Sequence, residues 1–246
     1  MNPGTRIHGG PDAAGAARFD FSTNSNACGP CPVALAAVQA ADATRYPDAS
    51  YTDLRSALAA HHRVARWRVV LAASASEFIF RITAAVRRLG GTQVFVPRYA
   101  YGDYAAAAQA WDLVPAAGPD AADLVWACDP ASPTGQTHTD WPEVLERRTV
   151  VLDGAYAPLR LSGEPALTSQ QLDAVWQLFS PNKALGLTGV RAAYAIAPVH
   201  AQAAAVALDA MAPSWVLGAH GLAMLHSWAQ PDTQAWVAQG LNVLRA

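Results

Sequence analysis

The sequence predicts an α/β domain, with a mostly parallel seven-stranded sheet sandwiched by helices. Two observations support this. Short β-branched or aromatic runs alternate with alanine-rich helical patterns along the chain, which is the arrangement that builds parallel sheets. In addition, 52% of the residues are hydrophobic and only 15% are charged. That composition suits one medium or large domain with a sizeable core.

Seven segments have the composition of buried strands. They are RVVLAA (68–73), TQVFVP (92–97), LVPAA (113–117), LVWACD (124–129), TVVLD (149–153), AVWQLFS (174–180) and RAAYAIA (191–197). Helical patterns lie between several of them, such as SEFIFRITAAVRRLG (76–90) and YAAAAQAW (104–111). Sheets of this kind carry their chemistry beyond the carboxyl ends of the strands.

Charge and polarity exclude several classes of partner. The net charge is −2 and there is no basic run, so we expect neither nucleic acid nor an anionic membrane as a partner. No apolar stretch reaches the roughly 18 residues of a membrane span, and MNPGTRIHGGPD has no signal-peptide pattern. Three cysteines do not make a disulfide framework. We therefore expect a cytoplasmic protein.

Polar, small and aromatic residues follow the predicted strands at the carboxyl rim. The segments are SASE (74–77), RYAYGDY (98–104), PASPTG (130–135), GAY (154–156) and PNK (181–183). The last contains Lys183, in the otherwise apolar run LFSPNKALGLTGVR. A lone loop lysine is usually just solvated, but its place among these groups favours an amine that reacts.

One side of this group of residues fits a phosphate and an aldehyde. The segment SAS (74–76) opens a helix, where free backbone N–H groups and the helix dipole favour an anion. Ser180 and Arg191 would add a hydroxyl and a guanidinium to the same anion. Lys183 would form a Schiff base with an aldehyde, a known use of a desolvated lysine.

The other side fits an aromatic ring that contains a protonated nitrogen. Asp153, at the end of an apolar strand, would be an isolated carboxylate unless it met such a cation. Tyr156 would donate to a ring oxygen, and Tyr99 or Tyr101 would lie against the ring face. Each residue alone has a plain structural explanation as a cap, a core residue or a surface residue. Their combined order along the chain favours a cofactor site.

Seven motifs that cover almost the whole chain occur in a family order. They are HGG (8–10), DFSTNSNACGP (20–30), RYPDASYTDLRSALAAHH (45–62), SASEFIF (74–80), SPTG (132–135), DGAY (153–156) and SPNKALGLTGVRAAY (180–194). In these motifs the chain resembles the fold-type I pyridoxal-phosphate enzymes of the aspartate aminotransferase superfamily. The nearest likeness is to the histidinol-phosphate aminotransferases and especially to the threonine-phosphate decarboxylases of cobalamin biosynthesis. The opening pattern HGG with DFSTN, in the N-terminal arm, is what indicates the decarboxylase branch.

The resemblance implies pyridoxal 5'-phosphate as cofactor and a small amino acid or amino-phosphate as substrate. It implies Lys183 as the Schiff-base lysine, Asp153 as the partner of the pyridinium nitrogen, and Tyr156 as the tyrosine near the ring oxygen. It further implies that a set of small, hydroxyl and basic residues forms the phosphate cradle. These are Ala75, Ser76, Ser180 and Arg191.

Two further implications concern aromatic residues. Tyr46, in RYPD, matches a tyrosine that reaches the cofactor phosphate of the neighbouring subunit, which implies a homodimer. The stacking aromatic stays open: distance from Pro97 favours Tyr99, whereas register with the following helix favours Tyr101.

The sequence departs from the family pattern at several positions. Ser132 stands where an asparagine usually bonds the ring oxygen, Ser74 where a glycine is common, and Gly154 where a glutamate is usual. Members also continue into a small α/β domain, which supplies the arginine that clamps the substrate carboxylate. No residue here is assigned that role, and Arg245 is merely the last arginine.

The predicted organisation is an N-terminal arm (1–30), a large cofactor domain (31–198) and a helical remnant of the small domain (199–246). The predicted function is a decarboxylase of the threonine-phosphate type. One alternative is an aminotransferase of the histidinol-phosphate type. Another is a catalytically impaired, cofactor-binding or interaction protein without the carboxylate clamp.

The motif CGPC (28–31) favours a competing function, a thioredoxin-like dithiol. The strand expected before such a motif is missing from the pattern, and the preceding segment DFSTNSNA is typical of the polar arm, so we interpret these cysteines as incidental. The pair HH (61–62) lies on a predicted helix with diverging rings, and we predict no metal site.

Overall fold

A computed structural model of the chain describes residues 9–13, 15–20, 22–132 and 134–246. His8 of the HGG motif, Phe21 of the arm and Pro133 of SPTG lie outside the described residues. All seven predicted strands are present; β5 has the predicted bounds, and the other six are shorter than their segments. They are β1 Val69–Ala72, β2 Gln93–Phe95, β3 Val114–Pro115, β4 Leu124–Cys128, β5 Thr149–Asp153, β6 Trp176–Phe179 and β7 Ala193–Ile196.

The seven strands form one mixed sheet in the order β1-β7-β6-β5-β4-β2-β3. Pairs from β3 through β2, β4 and β5 to β6 are parallel, whereas β7 runs antiparallel to both β6 and β1. The prediction of a mostly parallel sheet is confirmed. Because β7 runs against β6, it begins at the rim where β6 ends, so both ends of the 180–192 loop lie at the carboxyl rim.

Within the described ranges, eight α-helices pack around the sheet. They are α1 Pro32–Gln39, α2 Thr52–His62, α3 Ala75–Arg88, α4 Gly102–Ala110, α5 Ser169–Leu172, α6 Gln202–Ala210, α7 Ala219–Trp228 and α8 Pro231–Arg245. Alternate strand residues enter different cores, because successive side chains of a strand point to opposite faces. Val70 packs with α3, α4 and α6, whereas Leu71 packs with α1, α2 and α7.

The three helices after residue 198 pack into the same two cores, α6 into the first and α7 and α8 into the second. Ala205 and Leu208 of α6 are buried with the first, and Met224 of α7 and Val237 of α8 with the second. The predicted boundary between a large domain and a small-domain remnant stays a prediction. None of the helices in the described part of the chain is both long enough and apolar enough to cross a bilayer.

The end of the N-terminal arm holds the loop that carries Lys183. The backbone N–H of Asn26 donates to the carbonyl of Lys183 (3.0 Å), and its side-chain amide donates to that of Ala184 (2.8 Å). The N–H of Cys31 donates to the next carbonyl, that of Leu185 (2.8 Å). Three successive loop carbonyls are thereby paired. We call this contact between 26–31 and 183–186 the arm clamp.

Gly186 is required where the two parts of the arm clamp touch. Its φ is +65°, and a Cβ there would lie 2.5 Å from the carbonyl oxygen of Gly29. Both the left-handed backbone and the close approach therefore exclude a side chain.

We expect Gly186→Ala to lower the free energy of unfolding by about 3 kcal/mol or more, the sum of left-handed strain and a backbone clash. Gly163→Ala is the matched control, because Gly163 has φ +74° but no atom near its missing Cβ. It should lose only about 1 kcal/mol. Urea unfolding of both variants measures the difference, and equal losses would show that the arm clamp is not tightly packed.

Candidate active site

A cavity of about 500 Å³ lies at the carboxyl rim of the sheet. All the predicted site residues except Tyr46 and Tyr99 line it. They are Ala75, Ser76, Tyr101, Ser132, Asp153, Tyr156, Ser180, Lys183 and Arg191. The structure thus brings together residues that are distributed over five strand-end segments.

Asp153 forms one side of the cavity. It is the last residue of β5 and is buried, at 4% exposure. Its Oδ2 accepts from the Tyr104 hydroxyl (2.6 Å) and its Oδ1 from the backbone N–H of Ala155 (2.9 Å). Two donors therefore orient the buried carboxylate and satisfy its oxygens in place of water.

Lys183 faces the same cavity and is the only lysine in the sequence. Its Nζ donates to the Ser180 hydroxyl (3.4 Å) and lies 5.6 Å from the centre of the Tyr156 ring. Burial lowers the pKa of Lys183; the charge of Asp153 opposes that shift and the charge of Arg191 adds to it. The amine is thus more readily neutral, and nucleophilic, than that of a solvated lysine.

The predicted phosphate cradle lies at the start of α3. Ser74 caps this helix, its hydroxyl accepting from the N–H of Glu77 (3.0 Å), so the serine found in place of the usual glycine has a structural use. Ser76, in the first turn, hydrogen-bonds the hydroxyl of Tyr101 (3.1 Å). Ser180 and Arg191 line the same cavity. Hydroxyls, a guanidinium and a helix N-terminus together suit an anion.

Tyr156 lies beside the carboxylate and the amine. Burial, together with the charges of Asp153 and Cys128, raises its pKa, and hydrogen bonds with the side chains of Asn24 and Ser132 oppose the shift. The Tyr156 hydroxyl therefore keeps its proton at neutral pH and is available as a donor.

Several lining residues were missed by the sequence reasoning. They are Gly9, Ser22, Thr23, Asn24, Asp103, Tyr104, Cys128, Ala155, Asn182 and Thr188. A signal existed for some: Cys128 ends β4 directly beside Asp153 in the sheet register, and the polar run STNSN marks the arm. Burial, then the charge of Asp153, raises the pKa of the Cys128 thiol to about 12, so the thiol is no nucleophile.

Three other residues considered in the sequence lie away from the cavity. Tyr99 is 56% exposed, with Arg98 over its ring. Tyr46 is 78% exposed and stacks on Trp215 at 4.4 Å. Arg245 donates to the carbonyl of Leu161 (2.7 Å). Of the two candidate stacking tyrosines, only Tyr101 reaches the cavity.

The structure places the CGPC motif inside the arm clamp. Cys31 is fully buried, and the Cys28 thiol contacts the carbonyl of Gly240 at 3.7 Å. All three cysteines are free thiols. His61 and His62 meet edge to face, with 4.8 Å between ring centres. Packing accounts for both motifs.

The donor set of the cavity fits a pyridoxal phosphate. A carboxylate for a ring nitrogen, an amine of lowered pKa for an aldehyde and an anion cradle for a phosphate surround one space. Residues 18–240 match the family model of class I and II aminotransferases. This chain belongs to that family. The predicted family is confirmed, and members of this aminotransferase family depend on pyridoxal phosphate, which is the predicted cofactor.

Relatives support the assignment to this aminotransferase family. Histidinol-phosphate aminotransferase 1 of Thiobacillus denitrificans is 31% identical over 210 residues, 72% of this chain and 53% of that protein. The chain thus spans about half the length of this relative.

Solved structures share the fold. Histidinol-phosphate aminotransferase from Sinorhizobium meliloti, in complex with pyridoxal-5'-phosphate, superposes with a TM-score of 0.71 at 22% identity, covering 89% of this chain and 65% of that one. L-threonine-O-3-phosphate decarboxylase from Porphyromonas gingivalis gives a TM-score of 0.62 at 19% identity, covering 79% and 64%. The findings thus support the aminotransferase alternative better than the decarboxylase that the arm motif favoured.

We expect two charge-removing variants to shift the pKa of Lys183 in opposite directions. Asp153→Asn removes an anion that stabilises the ammonium and should lower that pKa, whereas Arg191→Gln removes a repelling cation and should raise it. The pH at which an acylating reagent half-labels Lys183, followed by mass spectrometry, measures each shift. Asp209→Asn, which removes a carboxylate paired with Arg55, should leave the midpoint unchanged. Shifts of the same sign for both cavity variants would contradict the expectation.

Proposed function

We propose that this protein is a pyridoxal-phosphate-dependent aminotransferase acting on a small amino acid or amino-phosphate. The observation that supports the proposal is the cavity itself. The only lysine of the chain, with its pKa lowered by burial, and a buried carboxylate with two donors face one space beside a helix N-terminus.

The residues would hold the cofactor by three kinds of contact. Lys183 Nζ would be the attachment point for the aldehyde, and Asp153 would pair with the ring nitrogen. Tyr156 and Ser132 would serve the ring oxygen, and Tyr101 would face the ring. Four residues form the phosphate cradle, which are Ala75, Ser76, Ser180 and Arg191.

When bound, this cofactor supplies an electron sink for the bonds of a substrate α-carbon. Lys183 holds and moves a proton at that carbon, since burial brings its pKa nearer to neutrality. Asp153 keeps the ring nitrogen protonated, because its oriented carboxylate offers a fixed negative charge. Tyr156 remains a hydrogen-bond donor throughout, because its raised pKa keeps the hydroxyl protonated.

For the substrate we propose an amino-phosphate of the histidinol-phosphate type. The relative with 31% identity carries that name. The side of the cavity formed by the arm is polar, with Ser22, Thr23 and Asn24 among its lining residues. Such a wall suits a polar substrate better than an apolar one.

We also propose that the protein is a cytoplasmic homodimer. Tyr46 lies outside its own cavity, highly exposed and stacked on the half-exposed Trp215. This position suits a tyrosine that serves the phosphate cradle of a second copy. The three free thiols suit a reducing compartment.

We expect the purified protein to bind pyridoxal phosphate with an absorbance band near the visible edge, and borohydride to fix the cofactor to the Lys183 peptide. Because no other lysine exists, the labelled peptide is unambiguous. Lys183→Ala and Lys183→Arg should both lose the band, the second because a guanidinium keeps the charge but does not attach the aldehyde. A product assay with an amino-phosphate and a 2-oxo acid as amino acceptor should then show a carbonyl product and a new amino acid, without carbon dioxide.

Other outcomes separate the alternatives. Release of carbon dioxide from threonine phosphate would replace the aminotransferase by a decarboxylase. A normal band with no product from any amino-phosphate would favour a cofactor-binding protein without turnover. Retention of the fixed cofactor in Lys183→Arg would overturn the assignment of the lysine.

We expect Tyr46 to act across a dimer. Tyr46→Phe should weaken cofactor binding, and Lys183→Ala should abolish the covalent attachment. Mixing the two variants and allowing their subunits to exchange should restore one tight cofactor site in each hybrid dimer, since Lys183 of one subunit meets Tyr46 of the other. Cofactor titration measures the restored sites, and a mixture of Lys183→Ala with Lys183→Arg is the control with no intact site. A monomer by light scattering would rule out the proposal.

A further inference from the structure

Tyr104 is a fully buried tyrosine whose hydroxyl bonds the carboxylate assigned to the ring nitrogen. It lies in the first turn of α4, at 0% exposure, and its hydroxyl donates to Asp153 Oδ2 at 2.6 Å. The distance is at the short end for an O–H donor, as expected for a charged acceptor. Tyr104 also lines the cavity, yet neither the family motifs nor the proposed contacts assign it a role.

The ring of Tyr104 is held rigidly. It stacks on Trp126 of β4 with 4.5 Å between ring centres and an interplanar angle of 4°, and the edge of Tyr101 meets it at 5.9 Å. A ring fixed on two sides carries its hydroxyl to one point, so the donor loses little freedom when it bonds Asp153.

The hydroxyl stays protonated beside the carboxylate. Burial, followed by the charges of Asp153 and Cys128, raises the pKa of Tyr104 well above its usual range. Tyr104 therefore donates at every working pH, while the Ala155 N–H occupies the other oxygen. The two fixed donors thus orient the buried carboxylate without help from solvent.

We propose that Tyr104 is a positioning residue for the pyridinium pair: by donating to Asp153 Oδ2 it fixes the carboxylate and moderates its attraction for the ring proton. The inference rests on the proposed cofactor site. A carboxylate without this donor competes more strongly for the proton that the ring nitrogen must keep. Tyr104 thereby helps to maintain the protonated ring through Asp153, without itself contacting the reacting carbon.

The test is Tyr104→Phe, which keeps the ring and its stack on Trp126 and removes only the hydroxyl. With pyridoxal phosphate labelled with ¹⁵N in the ring, the nitrogen chemical shift of the variant should move from the protonated toward the unprotonated range. Cofactor affinity should fall about tenfold, the size expected for one hydrogen bond to a charged group. Tyr194→Phe is the matched control, since it removes another fully buried tyrosine hydroxyl, one bonded to Trp228 and His62.

A double-mutant cycle shows whether Tyr104 acts through Asp153. In an Asp153→Asn background, Tyr104→Phe should cost little further affinity, because the charged acceptor is already gone. An unchanged nitrogen shift, or an affinity loss as large in that background as in the wild type, would overturn the inference. Failure of the wild type to attach the cofactor at Lys183 would instead contradict the proposed function. Failure of the inference on Tyr104 and failure of the proposed function are therefore distinguishable.

Discussion

The antiparallel placement of β7 beside β6 is the constraint on which the site depends. In a fully parallel arrangement the chain would leave the carboxyl rim after β6 and return only after crossing the sheet. Here the loop from 180 to 192 begins and ends at that rim, so Ser180, Lys183 and Arg191 all remain beside the end of β5. The basic side chains of Lys183 and Arg191 thus share one cavity with the Asp153 carboxylate. The buried carboxylate therefore lies near groups of opposite charge.

Local sequence patterns were sufficient to predict the strands and the cavity residues that directly follow them, because every parallel strand ends at the carboxyl rim of the sheet. They were insufficient for Tyr104, whose partner Asp153 is 49 residues away, since nothing in the α4 pattern distinguishes a core tyrosine from one that bonds a carboxylate. The open choice between Tyr99 and Tyr101 had the same origin. A shift of one or two residues in the loop before α4 decides which ring points inward, and in this structure Tyr101 lines the cavity.

The family was easier to predict than the reaction, because the two depend on different motifs. Motifs such as SPNKALGLTGVR line the cavity that fits the cofactor. The chemistry of that cofactor is common to aminotransferases and decarboxylases, so these motifs indicate the family and not the reaction. The branch depends on how the substrate carboxylate is turned relative to the ring, and the arm pattern HGG with DFSTN supplied only a weak indication of a decarboxylase. The comparisons favour an aminotransferase, and Arg245 lies against Leu161 rather than in the cavity.

The arm clamp has a consequence for the order in which the molecule assembles. Asn26 is synthesised well before its acceptor, the carbonyl of Ala184, which lies 158 residues further along. Until that acceptor is made, the side-chain amide of Asn26 has only solvent as its partner. Contacts between segments so far apart in the sequence form slowly. The nascent arm therefore stays unattached at least until residue 184 has been made, and the loop that carries Lys183 is held in place only when the two distant segments meet.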